Sequence, residues 1–292
     1  MLISALKANP RRSFEMHFLH GPDLTADSVA RLEQSLGRFG DRARLHRHLI
    51  PDAWVEGLPL FSSMTPGSIR PVMWYRMFLP QLLSQQERVL YVDCDAIVAD
   101  DLSPLWSMDL AGKALAAVTQ PFPKDIFDWP LTLGLPRRED YFNSGVMLFD
   151  LSRFRAGNLA QRVFDHGRTH AAMTRYGDQD SLCAVLHADR YPLHPRWNLL
   201  GAVIRSPHAL SIFSKQERLQ AIRNPGIVHF EGRGKPWKGS RSHPYTQLYL
   251  HHAQALPWPA PPAWRMSRFD RIENFLVRYQ WPRLHGWVQR VR

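Results

Sequence analysis

Cysteine is scarce in this chain, with only Cys94 and Cys183 among 292 residues. Two thiols cannot build a disulfide framework or a cysteine zinc site, and they suit a reducing cytosol. Long apolar runs are also missing. Stretches such as 89–92 and 114–118 fall far short of the roughly 20 residues a bilayer crossing needs. The opening Met1-Leu2-Ile3-Ser4-Ala5-Leu6-Lys7 has neither a basic leader nor an apolar run of signal-peptide length. These absences predict a cytoplasmic protein. Acidic residues are few too: 26 against 37 Lys and Arg, a net charge of +11, which draws a protein toward polyanions or an anionic membrane face. Nucleic acid would suit the charge, but no nucleic-acid motif accompanies it, and none is expected as a partner.

The length allows one large α/β domain or two small ones. Phe14 to Leu19 alternates like a strand, Thr25 to Leu36 carries Val29, Leu32 and Leu36 at helical spacing, and Arg44 to Ile50 is a weaker strand stopped by Pro51. A second helix is predicted over Pro71 to Leu83, with Trp74, Phe78 and Leu82 at i, i+4, i+8. Arg88-Val89-Leu90-Tyr91-Val92-Asp93-Cys94-Asp95 is a continuous run of strand formers, as in a buried parallel sheet, ending in carboxylates. Open α/β sheets bind ligands at that end of a strand. Leu115 to Val118 and Gly145 to Phe149 are further buried strands, so the expected fold is doubly wound α/β.

Asp93 and Asp95 are two apart, so in extended chain both carboxylates face one side. Such a pair can hold Mg²⁺ or Mn²⁺ with a substrate phosphate completing the shell. The alternative is a turn whose aspartates satisfy backbone donors. A phosphohydrolase of the haloacid dehalogenase type shares the Asp-x-Asp, but that family has Thr or Val where this chain has Ile97, and no downstream acidic pair stands out. Farther along, Ile227-Val228-His229-Phe230-Glu231-Gly232-Arg233-Gly234-Lys235-Pro236-Trp237 delivers a histidine able to bind metal and a lysine able to neutralise phosphate. Taken alone, a lone histidine and a glycine turn are more often structural.

Together these segments resemble family 8 of the retaining glycosyltransferases. Tyr75-Arg76-Met77 is similar to its Tyr-Arg region, Val89 to Asp95 with Asp101-Leu102 and Leu105-Trp106 behind it to its Asp-x-Asp strand, and Tyr141-Phe142-Asn143-Ser144-Gly145-Val146-Met147-Leu148 to its central segment. Asp178-Gln179-Asp180 resembles its Asp-Gln-Asp, and His229 to Trp237 its last signature. The anchors keep the family's order from about Ser4 to Trp237.

The resemblance implies a single nucleotide-sugar-binding domain of the GT-A type, with a mostly parallel doubly wound sheet, over residues 1–255. It implies that Asp93, Asp95 and His229 ligate Mn²⁺ (or Mg²⁺) bridging the diphosphate of a UDP-sugar. Gly232 and Lys235 would contact the diphosphate, and Arg76, Asn143 and Asp178 the donor sugar. Gln179 would lie beside the anomeric carbon, with Asp178 completing the catalytic pair. Glucose or galactose would pass, with retention, to a glycan such as a lipopolysaccharide core or other lipid-linked oligosaccharide. Each residue also has a plainer use: Asp178 as a helix cap, Asn143-Ser144-Gly145 as a turn, Arg76 as an exposed charge.

Two departures stand out. Family members begin with a strand that helps hold base and ribose, whereas Leu2-Ile3-Ser4-Ala5-Leu6 resembles the helix after that strand. A catalytically silent relative that binds glycan or membrane is therefore the second hypothesis. Gln120 stands where the family often has an Asp toward the donor sugar, which alters charge while keeping hydrogen bonding. Residues 256–292 read as a Pro-rich linker and a basic, aromatic tail. From Trp264 onward there are seven arginines and two acids, and Phe269, Ile272, Leu276 and Tyr279 share one helical face. Such an amphipathic helix suits an anionic membrane surface or packing on the catalytic domain.

Overall fold

A computed structural model describes residues 1–59, 71–232, 235–238, 243–254 and 256–258. The tail from Trp264 lies outside the described residues, as do Arg233 and Gly234. The chain opens with the helix Leu2–Ala8, followed by strand β1 (Phe14–His20), the helix Ala26–Gly37 and strand β2 (Ala43–Leu49). The Thr25 hydroxyl accepts from Ser28 N and starts that second helix, as a short polar cap should. Strands β1 and β2 pair in parallel, and Leu6, Met16 and Leu36 close a small core beneath them.

The predicted helix over Pro71 to Leu83 takes a tighter form. Pro71–Phe78 is a 3₁₀ helix, and only Leu79–Leu82 is α-helical. Pro80 supplies no N–H for the Arg76 carbonyl and its ring crowds that position, so a continuous α-helix cannot run through it. The apolar face is nevertheless as expected: Trp74 and Phe78 are buried and Leu82 packs against the core.

Strands β3 (Arg88–Val92), β4 (Ala96–Val98), β5 (Leu115–Thr119), β6 (Phe142–Asp150), β7 (Arg190–Pro192) and β8 (Ile227–His229) follow in chain order. Four form a mixed sheet in the order β3-β6-β5-β7, in which β6 runs against the other three. Side chains alternate across it. Leu115, Ala117, Met147 and Phe149 join one core, Ala116, Val118, Val146 and Leu148 the other. Trp74, Phe154, Val163 and Leu182 cover the first face, and Val203, Ala221 and Ile222 the second. That two-sided cover explains why β3, β5 and the second half of β6 read as apolar runs.

Strands β4 and β8 form a separate antiparallel pair with Ala96 opposite His229. Among the described residues β1 pairs only with β2, and β3 only with β6. Residues of β1 and β3 line one cleft of about 2040 Å³.

Candidate active site

The catalytic candidates come from five segments that meet at the end of β3. Strand β3 stops at Val92, and Asp93 to Ala96 form a turn closed by Ala96 N donating to Asp93 O at 3.2 Å. The two carboxylates are thus gathered by a turn rather than by the extended chain expected from their spacing. Their partners are not the turn's own backbone donors. Tyr91 Oη donates to Asp93 Oδ1 at 2.6 Å, and Arg76 Nη2 lies 3.3 Å from the same oxygen. His229 Nε2 is 3.1 Å from Asp95 Oδ1, and Lys235 Nζ donates to Asp95 Oδ2 and, at 2.7 Å, to Phe230 O. The β4–β8 register places His229 here, and Phe230 N donating to Asp95 O at 3.0 Å extends that pairing into the turn.

One ligand-type atom from each of Asp93, Asp95 and His229 lies within 4.8 Å of the others. Two carboxylate oxygens and an imidazole nitrogen are donors that divalent ions accept. The space beside them is tightly bounded: a Cβ on Gly145 would stand 2.2 Å from His229 Cε1 and 2.8 Å from Asp93 Oδ2. Cationic groups already crowd Asp95. Burial works against its charge, but His229 and Lys235 outweigh that and hold its carboxyl well below the usual range. The imidazole is raised in turn: burial opposes its charge, and Asp95 and then Asp93 overcome it. A carboxylate pair that attracts this much positive charge fits a divalent cation.

Behind this cluster Arg76 is 5% exposed, not the surface charge its plainer reading allowed. Its Nε donates to Met73 O at 3.0 Å, Nη1 donates to Ser144 O, and its guanidinium lies 4.4 Å over the Tyr91 ring. Asp178 opens the helix Asp178–Leu186 after Gly177, and its Oδ2 lies 3.1 Å from Arg76 Nε. That nitrogen's hydrogen is directed to Met73, so Asp178 Oδ2 has no hydrogen-bond donor. Burial pushes the Asp178 carboxyl up to about 7, with Arg76 pulling the other way.

Asn143, Ser144 and Gly145 lie inside β6, so the alternative of a surface turn is overturned. Gln179 Oε1 accepts from Ser144 N at 3.0 Å, Asn143 Nδ2 at 3.2 Å and Ser144 Oγ at 3.3 Å. Gln120 Oε1 accepts from Asn143 Nδ2 at 2.9 Å. Gly232 has a left-handed φ of +76° with open space where a side chain would stand. All nine residues singled out from sequence, namely Arg76, Asp93, Asp95, Asn143, Asp178, Gln179, His229, Gly232 and Lys235, line the one cleft.

Sequence reasoning passed over several neighbours. In the sequence Tyr91 reads only as part of a strand, although its place two residues before Asp93 marks it. Asp180 stands in the first turn of its helix, where an acid suits the helix N-terminus; it is also fully buried and accepts from Arg175 N, Tyr176 N, Trp129 Nε1 and Tyr141 Oη at 2.6, 2.7, 3.0 and 2.5 Å. Asn198 carries no local signal at all.

The two-faced α/β domain that carries this carboxylate–histidine cluster has the GT-A fold, which solved structures share. A galactosyltransferase, LgtC, crystallised with donor and acceptor sugar analogues, superposes with a TM-score of 0.74 at 21% identity, over 88% of this chain and 90% of that one. The chain belongs to glycosyl transferase family 8, whose profile matches residues 1–240. General stress protein A of Bacillus subtilis is 29% identical over 268 residues, 88% of each chain. A probable galacturonosyltransferase-like protein 4 of Arabidopsis thaliana is 27% identical over 183 residues, which is 58% of this chain and 50% of that one.

Proposed function

We propose that the protein transfers a hexose, glucose or galactose, from a UDP-sugar to a glycan acceptor with retention of anomeric configuration, using a divalent metal. The observation that carries this reading is the meeting of Asp93, Asp95 and His229 with the Arg76–Asp178 pair and Gln179 in one cleft. A divalent ion, Mn²⁺ or Mg²⁺, held by the first three supplies Lewis-acid neutralisation of the departing diphosphate. Lys235 brings a further positive charge to the same place, and Gly232 leaves room for the diphosphate beside the backbone.

Asp178 Oδ2, buried and without a donor, suits a sugar hydroxyl, and Arg76 keeps the carboxylate in place. Gln179 is a poor nucleophile, since its oxygen already accepts from Ser144 and Asn143. The step it suits is a front-side displacement. The bond from C1 to the diphosphate oxygen breaks as the acceptor oxygen bonds C1 on the same face. The acceptor's proton goes to the departing phosphate oxygen. Gln179 stabilises the positive charge that builds at C1.

The net charge of +11 suits a phosphorylated or lipid-linked acceptor such as a lipopolysaccharide core. A second reading, binding without turnover, draws on the width of the cleft that residues of β1 and β3 line, about 2040 Å³, which leaves a bound base few close contacts. Titrating UDP into the protein by calorimetry, with Mn²⁺ and then with EDTA, tests the donor site. Metal-dependent binding is expected in the wild type and its loss in Asp95→Asn; equal affinity in all cases would remove the metal assignment. Hydrolysis of UDP-glucose, UDP-galactose and UDP-galacturonate then separates turnover from silent binding.

A further inference from the structure

We infer that Asn198 is a positioning residue that sets the tautomer of His229 and ties this metal-ligand candidate to the sugar side of the site through a one-way chain of hydrogen bonds. The metal half of this inference rests on the proposed donor site, while the tautomer half stands without it.

The direction of the chain follows from two backbone amides. Gly145 N lies 2.9 Å from one side-chain atom of Asn143. A backbone N–H can only donate, so that atom is the amide oxygen, and the flip of Asn143 is fixed. Ser144 N fixes Gln179 in the same way, at 3.0 Å from Oε1. Asn143 therefore turns its NH₂ toward the oxygens of Gln179 and Gln120.

Asn198 meets the Asn143 oxygen at 2.7 Å. An oxygen only accepts, so Asn198 must bring its NH₂ there and turn its own oxygen the other way. That oxygen faces His229 Nδ1 at 2.9 Å, which must then carry a hydrogen. An imidazole with Nδ1 protonated keeps its lone pair on Nε2 when neutral. Nε2 is the atom 3.1 Å from Asp95 Oδ1 and 3.8 Å from Asp93 Oδ2, where the cation would bind.

The other end is equally determined. Gln179 Nε2 donates to Tyr141 Oη at 3.1 Å, and Tyr141 donates to Asp180 Oδ1 at 2.5 Å. An ionised carboxylate can only accept. The hydrogens thus run from His229 through Asn198, Asn143, Gln179 and Tyr141 to Asp180. Reversing any amide would set two donors or two acceptors face to face. Asn198, His229, Tyr141 and Asp180 are each 3% exposed or less, so water offers no substitute partner and each mismatch would be costly. Partners that orient a metal-binding histidine commonly govern metal affinity by about 10- to 100-fold.

Two variants of the full chain separate the two jobs of Asn198. Asn198→Leu removes both hydrogen bonds. Asn198→Asp keeps an acceptor for His229 Nδ1–H but sets an oxygen against the Asn143 oxygen. Mn²⁺ affinity, read by calorimetry without nucleotide, should fall about 10- to 100-fold in Asn198→Leu and stay in the wild-type range in Asn198→Asp. The extra affinity of a UDP-hexose over UDP should be lost in both.

A metal-free readout accompanies these. ¹⁵N spectra of histidine-labelled protein, at a pH high enough to leave the ring neutral, should show His229 with hydrogen on Nδ1 in the wild type. The signal is assigned by its absence in His229→Gln, and the preference should vanish in Asn198→Leu. Wild-type hydrogen on Nε2, or an Asn198→Leu protein with native thermal stability and native Mn²⁺ affinity, would overturn the inference. A wild type that binds no Mn²⁺ but shows the Nδ1 tautomer would instead overturn the donor-site reading alone.

Discussion

Gly145 is where one hydrogen replaced by a methyl should matter most. Its added Cβ would stand 2.2 Å from the His229 ring and 2.8 Å from Asp93, well inside van der Waals contact, so both candidate ligands would have to move. The residue lies in a strand where alanine's backbone preferences are met, so the fold itself should tolerate the change. Gly145→Ala is expected to weaken Mn²⁺-dependent UDP binding by at least about tenfold, the range seen when metal-ligand orientation is disturbed. Its circular dichroism should stay native, and calorimetry checks the binding.

His243 predicts an acid weakness. It packs 4.6 Å from the Phe230 ring, and burial, with Arg205 and His229 adding to it, pushes its pKa down from 6.5 to about 3. The folded protein keeps this ring neutral until about pH 3, while the unfolded chain protonates it below about 6.5. Between those values unfolding takes up a proton, so this group's contribution to stability is lost as pH falls, by up to about 1.4 kcal/mol per pH unit. Urea unfolding at pH 7 and pH 5 should show a larger drop for the wild type than for His243→Phe.

Among the elements, the 3₁₀ stretch Pro71–Phe78 holds Arg76 in the site, and Trp74 anchors it. The indole is fully buried, donates to Pro59 O at 2.9 Å and lies flush on Gly167, whose added Cβ would be only 2.4 Å from the ring. Trp74→Ala should cost about 3–5 kcal/mol, measured as a lower urea midpoint, and should loosen Arg76 along with it.

Elements of this kind also show what a sequence discloses. Strands β3, β5 and the second half of β6 were legible because both sheet faces are covered, so their runs are apolar. The helix after Thr25 was legible from the spacing of Val29, Leu32 and Leu36. The 3₁₀ geometry before Pro80 was not, because an i, i+4 pattern of apolar residues does not distinguish the two helices. The short strands β4 and β7 were missed, since three residues offer too little periodicity. In the site, segments carrying a run of signature residues could be found, Tyr141 and Asp180 within them, whereas the part these two and Asn198 play comes only through contacts between distant segments.

For the whole molecule, charge and aromatic content point the same way. No helix among the described residues is long and apolar enough to cross a membrane, yet the chain carries a net +11. Within residues 266–292 stand six arginines against two acids, with Trp281, Trp287, Phe269 and Phe275 among them. Arginine on an anionic leaflet contributes on the order of 1 kcal/mol per residue, and aromatic rings favour the headgroup zone. The full chain should therefore sediment with vesicles containing phosphatidylglycerol at low salt. It should come off as ionic strength rises and the Debye length shrinks to about 3 Å near 1 M. Removing residues 266–292 should release most of the protein from the vesicles while leaving UDP binding and urea midpoint unchanged, because every residue placed in the donor site lies before Pro236. Equal sedimentation of both forms would move the membrane contact to the catalytic domain. Loss of stability on truncation would show instead that the tail packs against that domain.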